Sequence, residues 1–505
     1  MKPLAKRFLV WIALLAIVRE MSAATIRVPL DYSSIQTAIN AATNGDLVLV
    51  ASGIYNEAID FSGKTITVAS GFYETGNSTN ILNTVISPPV NLSGVSAVSG
   101  ESTNSKLVGF TITGCSGLNS AAVYCYQGSL TISDCRIVTN QCRGVIMYKS
   151  HSVLHSNEIR ADIAYQYDPI HSAQSGPTIE GNLIFASDPG ASRDAIYHST
   201  TEAATNLQTV IRSNIIYGRL QGEFHAGGPI HHISHNLIVI ENGFGEAVMI
   251  TGGDFGLKIF NNTIIGGDFN VQLNATPTFL NNIVAFAHYG VSLGLFAPRP
   301  EVRFNIFWQC PQISDEFNTN GNTFVDPRFA NTNDYNFQLL ADSLCIDAGD
   351  PKGTSDPDGT RADQGAFFYD QRYQAWLKRY FSPSILADTN LETTVWGTTA
   401  DPDADRASNL YEYFSACDPL NADSNSQRLQ INLVGTNSVL TFKKSKRTVG
   451  ITSELQRADI LPIWRPAAAT ELPLTDLGDA FMFQAKVSNV GKDRQFFRMK
   501  VGFLP

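Results

Sequence analysis

A short pattern returns seven times along the middle of the chain: an apolar residue, two further residues, asparagine, one residue, and a second apolar residue. It reads LHSNEI at Asn157, IEGNLI at Asn182, IRSNII at Asn214 and ISHNLI at Asn236. It continues as IFNNTI at Asn262, FLNNIV at Asn282 and VRFNIF at Asn305. Two earlier segments keep the pattern with another residue in the central place, LVGFTI at Phe110 and ISDCRI at Cys135. From position 110 to 305 there are eight steps over 195 residues, a mean spacing of about 24. A fixed period of this kind marks stacked units that cannot bury an apolar face alone. Each unit is too short for a helix pair and is rich in β-branched residues, Gly and Asn. The pattern therefore predicts one coil of a parallel β-helix per unit, with apolar residues stacked inside and the asparagines forming a ladder of coil-to-coil amide bonds.

A second strand is expected about 9–14 residues after each asparagine line. Its inward residues are read as Val145, Ile196, Phe224, Val248, Val271 and Val291. The neighbours Tyr197, Glu223, His225, Asn270 and Gln272 then point outward. Ahead of the first coil, residues 31–46 read as a short helix, with Ser33 and Gln36 as a capping box and Ile35, Ala38, Ile39 and Ala42 on one face. Strands follow at Leu47–Ala51, Ala58–Phe61 and Thr65–Ala69. A helix at this place would cover the exposed apolar end of a solenoid. Beyond residue 370, QRYQAWLKRYF reads as an amphipathic helix. The alternating segments LQINLV, SVLTFKK, AFMFQAKV and RQFFRMKV read as a small β-sandwich-like module over 427–505.

The opening segment SIQTAINAATNGDLVLVASGIYNEAIDFSGKTITVAS resembles the start of secreted right-handed parallel β-helix proteins of the pectin-lyase-like superfamily. FVDPRFANTNDYNFQLLADSLCIDAGDP (324–351) and DPDGTRADQGAFF (356–368) resemble the segment that closes the last coil of such domains. The resemblance covers about residues 25–370 and implies an all-β fold. Its members include lyases, hydrolases, epimerases and non-enzymes, so it leaves the activity open. DPDADRASNLYEY resembles an Asp-rich connector found after many secreted bacterial enzymes, with Ala404 and Arg406 where that connector carries glycine. Trp464 and Phe496-Phe497-Arg498 match recurring lines of the modules that follow such connectors. The expected order is a signal segment at 1–24, a β-helix at 25–370, a helix and Asp-rich connector at 371–426, and the β module at 427–505.

Composition changes this picture in three respects. Lys2, Lys6 and Arg7, the apolar run Phe8–Val18 and Ser22-Ala23-Ala24 look like a secretory signal cleaved after Ala24. The run is too short to span a membrane, and no later segment is long and apolar enough to do so. A bacterial protein secreted or held at the cell surface is expected. Residues 427–505 hold 12 Lys and Arg against 6 Asp and Glu, net +6, whereas residues 25–426 carry −19. A body of that charge argues against nucleic acid as a partner. A polysaccharide or cell-surface glycan is the expected partner of a monomeric chain. Of the seven cysteines, Cys115, Cys125, Cys135 and Cys142 lie close enough in sequence for bridges in an oxidising compartment, and the odd count leaves at least one unpaired.

The candidate chemistry gathers in one stretch. Eight of the nine histidines lie between His151 and His235. His171, His198 and His225 occur one per coil, accompanied by Asp168, Asp194, Glu223 and Glu246. A row of imidazoles and carboxylates on one wall suits general acid–base work or a metal. Asp168, His171, Asp194, His198, Glu223 and His225 are therefore the candidate catalytic set, while His231, His232 and His235 read as surface residues near a turn. The 32 residues from Asn182 to Asn214, against a mean near 24, imply a loop beside this wall. YQYDPIHS (165–172) resembles the Y-G-F-D-P-H motif of mannuronan C5-epimerases at Tyr165, Asp168 and Pro169. His171 comes one residue later than that motif's histidine, which on a regular strand would put it on the opposite face. RPEVR (299–303) is similar to the basic motif of pectate lyases without its first arginine, and the aspartate trio of polygalacturonases is absent. Two readings follow: an enzyme acting on polysaccharide by elimination, epimerisation or hydrolysis, or a non-catalytic glycan-binding or adhesive protein. In the connector, Asp401, Asp403, Asp405, Asn409 and Glu412 stand at positions 1, 3, 5, 9 and 12 of a calcium-loop spacing, so Ca2+ is the expected cofactor.

Overall fold

The solenoid turns at its ladder positions, asparagine in most coils and Cys135 in one, and the turn keeps the same backbone. The residue before the ladder position takes a left-handed conformation: Asp134 (φ 54), Ser156 (56), Gly181 (66), Ser213 (57), His235 (55) and Asn261 (53). Only glycine adopts this region freely. The chain tolerates it here because the next side chain locks the corner. Asn214 is typical. Its backbone N–H and its Nδ2 both donate to Asn236 Oδ1, at 3.0 and 2.9 Å, and its Nδ2 also donates to Ile179 O at 2.9 Å. The same bonds run from Asn157 to Asn182, from Asn182 to Asn214 and from Asn236 to Asn262. The ladder asparagines are at most 2% exposed at Asn157, Asn182, Asn214, Asn236 and Asn262. The expected ladder is present. Replacing Asn214 by Leu should cost about 1–3 kcal/mol, because it strips the acceptor from Asn182 and leaves Ile179 O without that donor. An unchanged thermal midpoint in this variant would remove the ladder from the account.

The structure is a computed structural model that describes residues 23–504 except 140, 162–167, 187–193, 201–206, 225–228, 242–244, 253–255, 274, 295–298, 314–316, 318, 423–428 and 491–493, with the backbone alone at 118. The expected signal segment thus lies outside the described residues up to 22. The chain forms two compact units. One comprises residues up to 279 with 284–301 and 309–316, and the other comprises 280–283, 302–308 and 317–505.

The first unit is a parallel β-solenoid. One of its faces is a ten-stranded parallel sheet running from Ile59–Asp60 through Ser116–Tyr126, Gln141–Tyr148, Ile170–Ala173, Asp194–Ser199, Arg219–Glu223, Glu246–Thr251 and Asp268–Val271 to Val291–Leu293. Each coil gives this sheet one strand, hence about ten turns. Val145, Ile196, Phe224, Val248 and Val271 are fully buried and Val291 is 5% exposed, so all six residues read as inward do face the core. Helix Ile35–Ala41 packs on the first coil with Ile35, Ala38 and Ile39 buried. Its cap differs from the expected box. Ser34, not Ser33, accepts from Thr37 N, and the Glu57 carboxylate takes the N–H groups of Ile35 and Gln36 at 2.8 and 2.9 Å. Lys64 Nζ satisfies the last carbonyls, those of Ile39, Asn40 and Ala42, at 2.7–2.8 Å. Cys115 and Cys142 form a disulfide, and Cys125 and Cys135 are buried thiols whose pKa is pushed up to about 12 by burial.

The second unit begins with the ladder residues Asn282, Asn305 and Asn322, bonded in sequence as in the first. Asn322 was not legible as a ladder residue, because TNGNTF has Thr319 where the pattern wants an apolar residue. The closing segment docks on these coils. Asp350 N donates to Asn281 Oδ1 at 2.8 Å, Gly365 N donates to Asn281 O at 2.8 Å, and Arg303 pairs with Asp350. Helix Tyr373–Tyr380 buries Tyr373, Trp376 and Leu377 in a cluster with Phe381 and Tyr413. The C-terminal β module consists of a four-stranded and a three-stranded antiparallel sheet. Leu440, Phe442, Ala485 and Val487 from the first meet Leu455 from the second, and Phe414 joins their core. All four strands read from the sequence are present, at Gln430–Val434, Asn437–Ser445, Ala480–Ser488 and Phe496–Phe503. Among the described residues no helix is long and apolar enough to cross a membrane.

Candidate functional site

The outer face of the ten-stranded sheet carries a register-matched row. Tyr124, Ile146, His171, Tyr197, Gln221, Met249, Asn270 and Ser292 pair in succession and are all half-buried. Beside it runs a second, charged row: Arg143, Asp168, Asp194, Arg219, Glu246 and Asp268. Strict alternation would turn several of these charges inward. A repeated irregularity prevents it. In Arg143-Gly144-Val145-Ile146, Asp168-Pro169-Ile170-His171, Asp194-Ala195-Ile196-Tyr197 and Glu246-Ala247-Val248-Met249, the two middle residues are both buried and the outer two are not. The register shifts at Asp194/Ile196 and Glu246/Val248 mark this as a bulge, which re-aims the side chain preceding it. At Asp168 the same device puts His171 on the face of its aspartate, although the two are three residues apart.

The groups so placed are bonded to one another. His171 Nδ1 lies 2.9 Å from Asp168 Oδ2, and Arg143 Nε stands 3.7 Å from the same oxygen. The imidazole stacks on Tyr197, with centroids 4.9 Å apart and planes within 16°. One coil on, Arg219 Nε donates to Asp194 Oδ1 at 2.6 Å, and Arg219 Nη1 lies 3.5 Å from Glu246 Oε2. Burial raises the Asp194 pKa, with the like charge of Asp168 adding to the rise. Arg219 and His171 oppose it. Asp268 is also raised by burial, against the hydrogen bonds its Oδ1 accepts from Tyr289 N and Gly290 N. The carboxylate–imidazole pair fixes which nitrogen of His171 is turned to the protein. The side chain is 27% exposed, which leaves the ring reachable. Toward the N-terminal coils the wall becomes aromatic: Tyr126 and Tyr148 stack at 5.3 Å, and Tyr124 lies 6.4 Å from Tyr126.

Four of the six candidate residues lie on this wall. Asp168, His171 and Asp194 are brought together, and Glu223 lies on the same face two residues beyond Gln221, in register with Ser199 and Thr251. His225 is outside the described residues, as are Tyr165 and the parts of the expected loop at 187–193 and 201–206. The placement of His198 is corrected. It follows outward Tyr197 and is therefore inward, 1% exposed. Its Nδ1 meets Ser172 Oγ at 3.1 Å and its Nε2 meets Thr209 Oγ1 at 3.0 Å, while its ring leans on Phe224. His231 is corrected as well: it is 3% exposed, packs on Phe224 and accepts from Thr209 N, so it is a core residue. Arg143 and Arg219 were missed. The recurring quartet of charged, small, β-branched and outward residues would have found Arg143, while Arg219 stands on a strand of plain alternation, Arg219-Leu220-Gln221, and has no such signal.

Burial, with the charge of His231 adding to it, depresses the His198 pKa from 6.5 to about 3. The unfolded chain therefore binds this proton near pH 6.5 while the folded chain refuses it until about pH 3. With more protons on the unfolded state, stability rises with pH across that window and is lost on acidification, by about 1 kcal/mol per pH unit. Denaturant unfolding at pH 7 and pH 5 should show this loss, and His198→Gln should flatten it. An equal slope in the variant would exclude His198 as its source.

The connector holds a second cluster. Ligand oxygens of Asp401, Asp403 and Asp405 lie within 4.8 Å of one another. The loop keeps the backbone of a calcium loop despite its missing glycines, with Ala404 at φ 61 and Arg406 at φ 76. Arg406 N donates to Asp401 Oδ2 at 2.8 Å. Helix Asn409–Ser415 then presents Asn409 and Glu412, both fully buried. Asp403 Oδ2, Asn409 Oδ1 and both Glu412 oxygens are buried without a hydrogen-bond partner. Burial, followed by the charges of Asp403, Asp405 and Asp401, pushes the Glu412 pKa up to about 9. Orphaned hard oxygens around an aspartate triad are what a cation needs, and the residues present fit one.

No protein-family model matches the chain, and no curated protein matches it in sequence. Among solved structures it is similar to an alginate lyase from Paenibacillus sp. str. FPU-7, at 15% identity and a TM-score of 0.31, over 60% of this chain and 98% of that one. It is also similar to a mutant of the PL6 family alginate lyase AlyGC, at 11% identity and a TM-score of 0.34, over 69% of this chain and 59% of that one. At these values the description of the fold rests on the strand pairing itself.

Proposed function

We propose that this is a secreted β-helix protein that acts on an acidic polysaccharide along the outer wall of the ten-stranded sheet. The observation that supports it most is the Asp168–His171 pair, reachable from solvent, stacked on Tyr197 and flanked by Arg143 and Arg219 on the same wall. In elimination or epimerisation of a uronan, a cation neutralises the sugar carboxylate and a base removes the adjacent proton. His171, held through Nδ1 by Asp168, is the base in this reading. Arg143 supplies positive charge one coil before it and Arg219 two coils after it. Like positions in three successive coils span roughly 10 Å, about two sugar rings. The stacked Tyr126 and Tyr148 favour glycan binding whether or not turnover follows, since flat aromatic faces suit the apolar faces of sugar rings.

The test is a panel of uronans and neutral glycans given to the secreted protein. New absorbance of unsaturated sugars indicates elimination, and new reducing ends alone indicate hydrolysis. Uptake of solvent deuterium at C5 without either product indicates epimerisation, binding without any of the three supports the non-catalytic reading, and no binding to any uronan removes the proposal. In the connector, we take the cation to be Ca2+, because the donors are all oxygen and include a buried glutamate that can bind through both oxygens.

A further inference from the structure

The C-terminal β module has a surface chemistry of its own. An open cleft of about 430 Å³ is lined by Arg406 and Tyr411 from the connector and by Ile431, Phe497 and Arg498 from the strands Gln430–Val434 and Phe496–Phe503. A volume of this size suits one or two sugar rings. Arg406 occupies the loop position where a calcium loop uses glycine, and it does so at φ 76, a conformation that side chains other than glycine adopt with strain. The loop uses only its backbone, through the bond to Asp401 Oδ2. Arg406 also lines the cleft. Arg498 also borders the cleft, but as the neighbour of Phe497 on a regular strand it turns its side chain to the other face of the sheet. Its Nε donates to Gln456 Oε1 at 2.9 Å, and its guanidinium lies 4.3 Å from the ring centre of Trp464.

We propose that this cleft is a binding site for an acidic saccharide, with the guanidinium group of Arg406 taking a sugar carboxylate and the rings of Tyr411 and Phe497 taking the sugar faces. Planar guanidinium groups suit carboxylates, and aromatic faces beside them suit the CH surface of the same ring. The charge division favours an anion here. Residues 427–505 carry net +6 while residues 25–426 carry −19, so a polyanion is drawn to the module more strongly than to the body. The site would hold the protein on an acidic glycan, and it stands whether or not the solenoid wall turns that glycan over.

The experiment is calorimetric titration of the full chain with hexasaccharides of galacturonate, alginate and hyaluronate, and with cellohexaose as the neutral control. Arg406→Gly suits the left-handed backbone, so the loop keeps its fold while the cleft loses a charge. At least one acidic hexasaccharide should bind, about tenfold more weakly in Arg406→Gly and within a few-fold of the natural affinity in Arg406→Lys. Tyr197→Ala, on the solenoid wall, should leave this binding in place. The proposal fails if none of the three acidic sugars binds, if cellohexaose binds as well as they do, or if Arg406→Gly binds like the natural chain. Binding that Tyr197→Ala removes and Arg406→Gly spares belongs to the wall and overturns the cleft.

Discussion

His171→Ala should lower turnover of an acidic polysaccharide by at least about 100-fold while leaving the fold intact. A positioned general base contributes roughly 10²–10⁴ in rate. The side chain is 27% exposed, and its loss opens no cavity in the core, so the thermal midpoint should move little. Asp168→Asn separates roles. It keeps the shape of the pair but replaces the carboxylate that meets His171 Nδ1, so the ring loses its fixed orientation and the rate should fall. Arg219→Gln should raise KM and lower kcat together if Arg219 meets the sugar carboxylate, because the neutralised charge matters before and during proton removal. Full turnover in His171→Ala would remove the wall as the place of chemistry.

The second large effect concerns the connector. Calcium should stabilise the full chain, by about 2.7 kcal/mol at a concentration 100 times its dissociation constant. The reason is local. Glu412 is fully buried with both oxygens unpartnered, and the helix that carries it places Phe414 in the core of the β module and Tyr413 in the cluster around Trp376. A cation at Glu412 therefore fastens a helix whose neighbouring residues belong to two cores. Tyr413 adds a polar tie, its hydroxyl meeting Gln371 O and Val449 N. Thermal unfolding with calcium and with a chelator should differ, and Glu412→Gln should abolish the difference. A calcium response that survives in Glu412→Gln would place the ion elsewhere.

The solenoid was legible because its period is written in one residue type. Asparagine at the corner has a single physical job, and its neighbours repeat with it. The inward residues Val145 to Val291 followed by alternation and were all placed correctly. The wall was legible only in part, for the same reason: alternation was the one tool available, and the bulges break it. His198 sits next to outward Tyr197 and so had to be inward, yet its identity as a histidine drew it into the candidate row. Arg143 and Arg219 escaped notice because no spacing between histidines points to arginines. In the connector, the departures at Ala404 and Arg406 looked like damage to a calcium loop. The backbone shows that both residues accept the left-handed conformation that glycine would have supplied. Residue type told what the loop prefers; the surrounding contacts decided what it tolerates.

The ladder also has a direction. Each Oδ1 accepts from the coil before it, so the donors of Asn157 wait on Asn182, those of Asn182 on Asn214, and those of Asn214 on Asn236. A coil newly delivered from the ribosome thus keeps unsatisfied donors until its successor arrives. Maturation must trail chain delivery by one turn, and a chain cut short at any corner ends on an open bond. Asn322 escapes this rule. Its own N–H turns back to Thr319 O at 3.1 Å, and its Nδ2 reaches Phe317 O and Thr319 O, both within the same turn. It is a full stop: the stack can end there because the last corner asks nothing of a coil that never comes.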